Sequence, residues 1–228
     1  MEKENNLDQQ VYLKIREAIL NRKLKPGMKI SALSLSRGMG VSRTPTRIAL
    51  QRLASEGLVE MHANRAASIA RPSAKQISDV FFVRATLEAA AASLACHCAK
   101  ESDTGQLRVL AKEEQTAFKR RSLSMYLDAN NRFHMYIADI SGNEVLRAAI
   151  EQILNQSSVM LSLFDPFFSF PGEEESADNE EHLRIIESIE KKDETLASVR
   201  MKEHILRALS NLPLEDLEKN MSIMPRLK

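Results

Sequence analysis

Two arginines and a glutamine recur at four-residue intervals, at Arg43, Arg47 and Gln51, in the stretch SRTPTRIALQ. If this stretch is helical, the three long side chains lie within about 80° of one another on one face. A guanidinium can bond both acceptors of a guanine, and a Gln amide can bond adenine in the same bidentate way. A different arc of the helix holds the residues that can be buried: Thr46, Ala49, Leu50 and Leu53. The spacing therefore favours a helix that enters the major groove of DNA.

Small hydroxyl residues stand at the start of the same helix. Either Ser42 or Thr44 can serve as its N-cap, and Pro45 is tolerated in its first turn. A helix N-terminus attracts anions, and both hydroxyls are well placed for phosphate. From the pattern alone, the competing interpretation is a basic helix face that only meets solvent.

Three of the five histidines, His134, His182 and His204, lie in amphipathic helical stretches of the second half of the chain. A single histidine in such a helix usually has a structural role. Three on separate helices of a bundle can instead converge on one metal ion. The spacing does not decide between these interpretations, and His62 and His97 suggest only structural or surface roles.

Two further helices are predicted ahead of the arginine-bearing one. Val11, Ile15 and Ile19 recur every four residues and predict a first helix over 8–22. The turn LKPGMK follows, and Ser31 can cap a short second helix.

Strand signals come after the third helix. Gly57 ends that helix, and LVEMHA and ASIA read as two short strands around a turn at 64–65. Three helices and a hairpin are typical of a winged helix-turn-helix. We therefore predict a DNA-binding domain of this type over residues 1–72.

The second domain is predicted to be entirely helical. Ser73 and Gln76 form a capping box that opens a long helix to about Cys98, and no later stretch has a strand pattern. Further helices are expected over 104–120, 122–140, 144–163, 179–191 and 194–211. The fold class is thus mainly α, with an N-terminal winged helix-turn-helix and a six-helix bundle over 73–228.

Charge is divided unevenly between the two parts. Residues 1–75 have 14 Lys and Arg against 6 Asp and Glu, a net of +8, whereas residues 76–228 have 18 against 25, a net of −7. The basic part favours a polyanionic partner.

The remaining bulk features are those of a reduced, cytoplasmic protein. Cys96 and Cys98 are two apart in a helix and point to different sides, which disfavours a disulfide between them. No apolar run reaches 18 residues, and the polar start lacks a signal-peptide core. We expect no membrane span.

The stretch GVSRTPTRIALQRLASEGLV strongly resembles the signature of the GntR family of bacterial transcription regulators, in register across the winged domain. NRAAS stands where the family has its wing tip. The resemblance implies DNA contacts by Ser42, Arg43, Thr44, Arg47 and, on the wing, Arg65.

Three positions depart from the family pattern. Ile48 replaces the usual Glu, and can meet a thymine methyl or, the interpretation we favour, pack against a neighbouring helix. Ala66 replaces the wing glycine and restricts the backbone there. Ala32-Leu33 replaces the usual Glu-Arg, which removes one familiar phosphate contact.

The helical region resembles the FCD-type effector-binding domain of the FadR subgroup, in the compact form of its VanR-like branch. The resemblance rests on VRATLEAAAA, NNRFHMYIADISGN, EHLRIIESI and MKEHILRAL. It assigns the metal site to His134, His182 and His204. It also turns Arg84 into a bundle cavity, where the guanidinium can clamp an effector carboxylate. A surface pair of Arg84 with Glu88 is the alternative.

Asn130 stands where the family has an Asp ligand, one helical turn before His134. Its carbonyl offers a ligand atom without charge. Four neutral ligands should hold a divalent ion weakly, and Zn²⁺, Ni²⁺ and Mn²⁺ remain open.

These features predict a DNA-binding transcription regulator with no catalytic residues. It would bind a near-palindromic operator as a homodimer and respond to a small organic acid or a related metabolite. The alternative is a metal-dependent hydrolase that uses the three histidines, although the chain has neither H-E-x-x-H nor G-x-S-x-G. A nonspecific architectural DNA binder is the third possibility.

Overall fold

The structure is a computed structural model that describes residues 2–63, 66–165, 167 and 176–214, with side chains from residue 7 on. The chain divides into two compact units. Met1–Pro72 is the winged unit, and Ser73–Lys228 is the helical unit.

The winged unit combines three helices with a small antiparallel sheet. The strand order is β1-β3-β2, with Lys29 opposite Ser68 and Val59 opposite Ile69. Its elements are α1 (Glu2–Leu20), β1 (Lys29–Ile30), α2 (Ala32–Met39), α3 (Arg43–Ser55), β2 (Val59–Met61) and β3 (Ala67–Ile69).

Helix α1 supports α3 by packing against it. The predicted stripe of Val11, Ile15 and Ile19 is buried, and α1 packs against α3. The helix begins earlier than predicted and ends at Leu20. It stops there because Arg22 adopts a left-handed backbone with φ of 57°, which cannot continue an α-helix.

Helix α3 is held by the face that the sequence predicted. Its buried residues are Thr46, Ala49, Leu50 and Leu53. Helix α2 packs against α3 as well. Ser31 caps α2 through its side chain, and Gly40 ends it with φ of 67°, a conformation that glycine adopts without strain. The tight turn between α2 and α3 fixes the direction of α3.

The hairpin of β2 and β3 matches the two predicted strands, whereas β1 was not predicted. Lys29–Ile30 pairs with β3 but is too short to show an alternating pattern. His62 Nε2 lies 2.7 Å from Ser68 Oγ and so has a local partner in the hairpin. The turn with Asn64 and Arg65 lies outside the described residues.

Within its described residues the helical unit contains six helices, each within three residues of its predicted bounds. They are α4 (Ala74–Cys98), α5 (Glu101–Lys119), α6 (Leu123–Ile140), α7 (Glu144–Phe164), α8 (Ala177–Glu190) and α9 (Glu194–Ser210). The predicted capping box is present, with Gln76 N donating to Ser73 Oγ and Ser73 N donating to Gln76 Oε1. Local capping chemistry therefore fixes where the bundle begins.

Helix α4 is the centre of the bundle and packs against α6, α7, α8 and α9. By length and composition alone it could cross a membrane, but half of its most apolar window is buried inside the protein. A core helix meets the same criterion. Cys96 is buried, Cys98 is exposed and both are free thiols, as the sequence suggested.

Candidate functional sites

One face of α3 presents long polar side chains to solvent. Arg43, Arg47 and Gln51 are all exposed. Neither the Arg43 nor the Arg47 guanidinium forms an ion pair or hydrogen bond within the described part of the chain. Both guanidiniums therefore keep their full hydrogen-bonding capacity for an external acceptor.

Arg52, on the same helix, shows the opposite arrangement. Its guanidinium lies 3.9 Å from the centre of the Tyr12 ring, and its Nε is 3.4 Å from Glu56 Oε1. Tyr12 in turn donates to Glu56 Oε2 at 2.9 Å. Arg52 thus ties α3 to α1, whereas Arg43 and Arg47 take no part in the scaffold.

The first turn of α3 is open to an anion. Ser42 holds the N-cap position with an extended backbone, yet its side chain makes no capping hydrogen bond. Thr44 is exposed, and the first turn contains no acidic residue. Because the first N–H groups of a helix lack intrahelical acceptors, this end offers donors and positive potential.

The positions that depart from the family pattern can also be placed. Ile48 is 43% exposed, so part of it can be reached from solvent. Leu33 and Ala66 are exposed, and Arg65 lies outside the described residues.

The three histidines of the second unit meet in the middle of the bundle. His134 comes from α6, His182 from α8 and His204 from α9, and all are buried. His182 Nε2 lies 3.1 Å from His204 Nε2, which lies 3.4 Å from His134 Nε2. We call these three residues the histidine cluster.

A carboxylate lies against the Nδ1 atom of each ring. Glu88 Oε2 is 2.5 Å from His134 Nδ1, Glu114 Oε2 is 2.6 Å from His182 Nδ1, and Glu181 Oε2 is 2.8 Å from His204 Nδ1. Since a carboxylate only accepts, His182 and His204 donate through Nδ1 to Glu114 and Glu181. His134 Nδ1 and Glu88 Oε2 are close enough for an ion pair, but the two atoms do not have hydrogen-bond geometry. In all three rings the carboxylate lies on the Nδ1 side, which leaves the Nε2 atoms on the side of the other rings.

This arrangement fits a divalent metal ion. Nitrogens bound at about 2.0–2.1 Å to a tetrahedral ion lie about 3.3 Å apart, close to the observed Nε2 separations. Burial lowers the pKa of His134 to about 3, and burial with the neighbouring His182 lowers the pKa of His204. Both imidazoles are therefore neutral at physiological pH, as metal ligands must be.

Asn130 lies one turn before His134 and is buried. Its Nδ2 donates to Glu114 Oε1 at 3.3 Å, while its Oδ1 has no hydrogen-bond partner. An unsatisfied buried carbonyl is costly in a folded protein and indicates a missing partner.

A cavity of about 280 Å³ adjoins the cluster, with His204 and Asn130 in its wall. Arg84 also lines it and is only 1% exposed. Arg84 Nε donates to Glu88 Oε1 at 2.6 Å, but Nη2 has no partner. The pair of Arg84 with Glu88 is thus buried, and the surface-pair alternative is wrong.

The surroundings of Glu88 favour its ionised form. Burial opposes ionisation of Glu88, but the Arg84 guanidinium and His134 outweigh it and lower the pKa of Glu88 to about 2. Glu88 is therefore a carboxylate that accepts a hydrogen bond from Arg84 and lies against His134.

Sequence reasoning missed the groups that orient the ligands. Glu114 and Glu181 were not singled out, because each contacts a histidine on a different helix. Arg207 was missed too, although it lines the cavity and contacts Asp178 at 2.8 Å. Only Glu88 had a local signal, its spacing of four from Arg84.

Comparisons with known proteins agree with this two-part layout. Residues 7–69 match the model of bacterial regulatory proteins of the gntR family, and residues 79–207 match the FCD domain. The chain is 28% identical over 202 residues to YdhC, an HTH-type transcriptional regulator of Bacillus subtilis. That alignment covers 86% of this chain and 85% of YdhC.

Two further proteins extend the comparison. The HTH-type transcriptional repressor RspR of Escherichia coli is 27% identical over 147 residues, 64% of either chain. The solved structure of Escherichia coli McbR has a similar fold, with a TM-score of 0.67 at 21% identity. It covers 94% of this chain and 98% of McbR.

Proposed function

The chain belongs to the bacterial GntR family of transcription regulators with an FCD domain, and is not an enzyme; from this premise we propose that it binds a specific operator as a homodimer in the cytoplasm. The observation that best supports the proposal is the pair of exposed, unpartnered arginines on α3. Arg43 and Arg47 would contact base edges or phosphates in the major groove.

The contacts divide by chemistry. Arg47 and Gln51 lie further along α3 and are suited to base edges, whereas Ser42 and Thr44 at its start are suited to phosphate. Arg65 would add a contact from the wing. Ile48 offers an exposed apolar group for a thymine methyl.

Selection of duplexes from a random-sequence pool by the full-length protein tests this function. A regulator should enrich one near-palindromic sequence, and its affinity for that sequence should fall steeply as salt is raised. Enrichment of no sequence, with equal binding to unrelated DNA, would favour an architectural binder instead.

The helical unit supplies the proposed sensor. Its cavity combines apolar walls from Phe118, Leu127 and Leu161 with the unsatisfied guanidinium nitrogen of Arg84. The volume, at the small end for ligand pockets, suits a small organic acid whose carboxylate pairs with Arg84. A metal held by His134 and its partners would add a second electrophilic contact for that carboxylate when bound.

Effector binding changes operator affinity only if the effector binds two conformations of the regulator with different affinity. A thermal-shift screen of mono- and dicarboxylic acids, with and without divalent metals, tests the sensor. An acid that stabilises the protein should lose its effect in Arg84→Lys, which keeps the charge but not the guanidinium fork. An undiminished shift would place the ligand elsewhere.

The homodimer is proposed to form through the helical unit. Phe82, Val83, Ala90 and Leu94 are exposed along one side of α4, and Phe82 is 65% exposed. A stripe of this kind is characteristic of association surfaces. Light scattering should give a dimer for the wild type and a monomer for Phe82→Glu. A Phe82→Glu protein that remains dimeric would exclude this face.

A further inference from the structure

Among the described residues, one carboxylate beside the histidine cluster has no arginine partner. Glu88 pairs with Arg84 at 2.6 Å, while Glu181 and Asp178 share Arg207, at 2.6 Å and 2.8 Å. Glu114 has no Lys or Arg within ion-pair distance among the described residues, although it is fully buried. A buried carboxylate without a cation is costly, so its position indicates a positive charge nearby.

The two oxygens of Glu114 have separate tasks. Oε2 accepts from His182 Nδ1, and Oε1 accepts from Asn130 Nδ2. Because an ionised carboxylate cannot donate, the group 3.3 Å from Oε1 must be the amide nitrogen of Asn130 and not its oxygen. Glu114 therefore fixes which way the Asn130 amide is turned.

We propose that Glu114 supplies the negative charge that a carboxylate at position 130 would supply directly. Glu114 does so by contacting the ligands His182 and Asn130, and not the ion itself. Its Oε1 holds the amide so that Asn130 Oδ1, which has no other partner, can bind the ion as a neutral ligand. Glu114 is a positioning residue, and Asn130 and Glu114 function as one unit. The inference rests on the proposed metal site and specifies how its charge is distributed.

The pairing of Glu114 with Asn130 changes the effect expected of Asn130→Asp on metal affinity. A charged ligand should ordinarily strengthen binding of a divalent ion. Here the new carboxylate would face Glu114 without the N–H donor between them, and the two buried anions would repel. Converting Glu114 to Gln at the same time restores complementarity. The Gln amide nitrogen can donate to the new carboxylate while its oxygen still accepts from His182 Nδ1.

The test is a mutant cycle of wild type, Glu114→Gln, Asn130→Asp and the double variant. Zn²⁺ affinity is measured by competition with a chromogenic chelator, and the melting temperature is measured on chelator-treated, metal-free protein. Glu114→Gln should weaken Zn²⁺ binding about 10- to 100-fold, the usual cost of losing an outer-shell partner. Glu113→Gln, on the exposed neighbour that pairs with Arg132, is the control and should change nothing.

Asn130→Asp alone should gain no Zn²⁺ affinity and should melt lower than wild type when metal-free. The double variant should bind Zn²⁺ at least tenfold more tightly than Glu114→Gln. If Asn130→Asp alone binds at least tenfold more tightly than wild type, the two positions are independent and the inference is wrong. If no variant, wild type included, binds Zn²⁺, Ni²⁺ or Mn²⁺, the proposed metal site itself fails.

Discussion

Arg47 in the winged unit and Arg84 in the helical unit place the same guanidinium in opposite surroundings. Arg47 is exposed and has no partner among the described residues, whereas Arg84 is 1% exposed and held by Glu88. An exposed, unpaired cation contributes little to stability. It remains available to bind an external partner. A buried, paired cation is part of the fold, and altering it disturbs structure and binding together.

The same contrast extends from single residues to whole sites. The polar face of α3 can be changed without affecting the buried side of the helix. The histidine cluster cannot, because each ring is held by a carboxylate from another part of the bundle. Mutations on the polar face of α3 should therefore separate binding from stability, and mutations within the histidine cluster should not.

The largest effect is expected for metal binding on substitution within the cluster. His134→Ala removes one of the three convergent nitrogens, and Zn²⁺ affinity should fall more than a hundredfold, since outer-shell changes alone cost about 10–100-fold. Isothermal titration measures this, and circular dichroism checks the fold. His97→Ala, at an exposed position on α4, is the matched control. An equal loss of Zn²⁺ affinity in both variants would show that the metal does not bind at the histidine cluster.

An effect of comparable size is expected on stability. Arg84→Met leaves Glu88 buried without its arginine, and the free energy of unfolding should fall by about 3–5 kcal/mol. Arg47→Met removes an exposed cation and should change it by less than about 0.5 kcal/mol. Urea denaturation of both variants provides the comparison. Similar small changes in the two would show that burial does not distinguish these arginines.

Arg47, which is expected to matter little for stability, should matter for operator affinity. Arg47→Ala is expected to cost about 1–3 kcal/mol of binding free energy and to relax the preference at one base pair. Fluorescence anisotropy with the selected duplex and single-base variants measures both quantities. A uniform loss on every sequence would assign Arg47 to phosphate alone.

The smallest predicted effects concern two N-cap serines, one with a structural role and one expected to contact DNA. Ser73 accepts from Gln76 N, so Ser73→Ala should lower the free energy of unfolding by about 1 kcal/mol. Ser42 makes no capping hydrogen bond, so Ser42→Ala should leave stability nearly unchanged and weaken DNA binding a few-fold. The reverse pattern would show that Ser42 is structural.

The two units also differ in how far the sequence predicts them. The buried arc of α3, the stripe of α1 and the capping box at Ser73 follow from local spacing, and the structure confirms all three. Strand β1 was missed because two residues have no measurable period.

The chemistry of the helical site depends on distance in space, which local patterns do not encode. Glu114 lies 68 residues before His182 along the chain, yet their side chains are 2.6 Å apart. Glu181 is next to His182 in sequence but contacts His204 on α9. The histidines could be proposed from the sequence, whereas the carboxylates that orient them required the packed bundle.

The central claim, that the exposed face of α3 reads a DNA sequence, is tested most directly by competition binding. Wild type and the double variant Arg43→Ala/Arg47→Ala are each titrated with the selected duplex and with a shuffled duplex of the same composition. The wild type should prefer the selected duplex by at least about a thousandfold, and the double variant should lose most of that preference while keeping its melting temperature. A double variant that still prefers the selected duplex as strongly as wild type would contradict the claim.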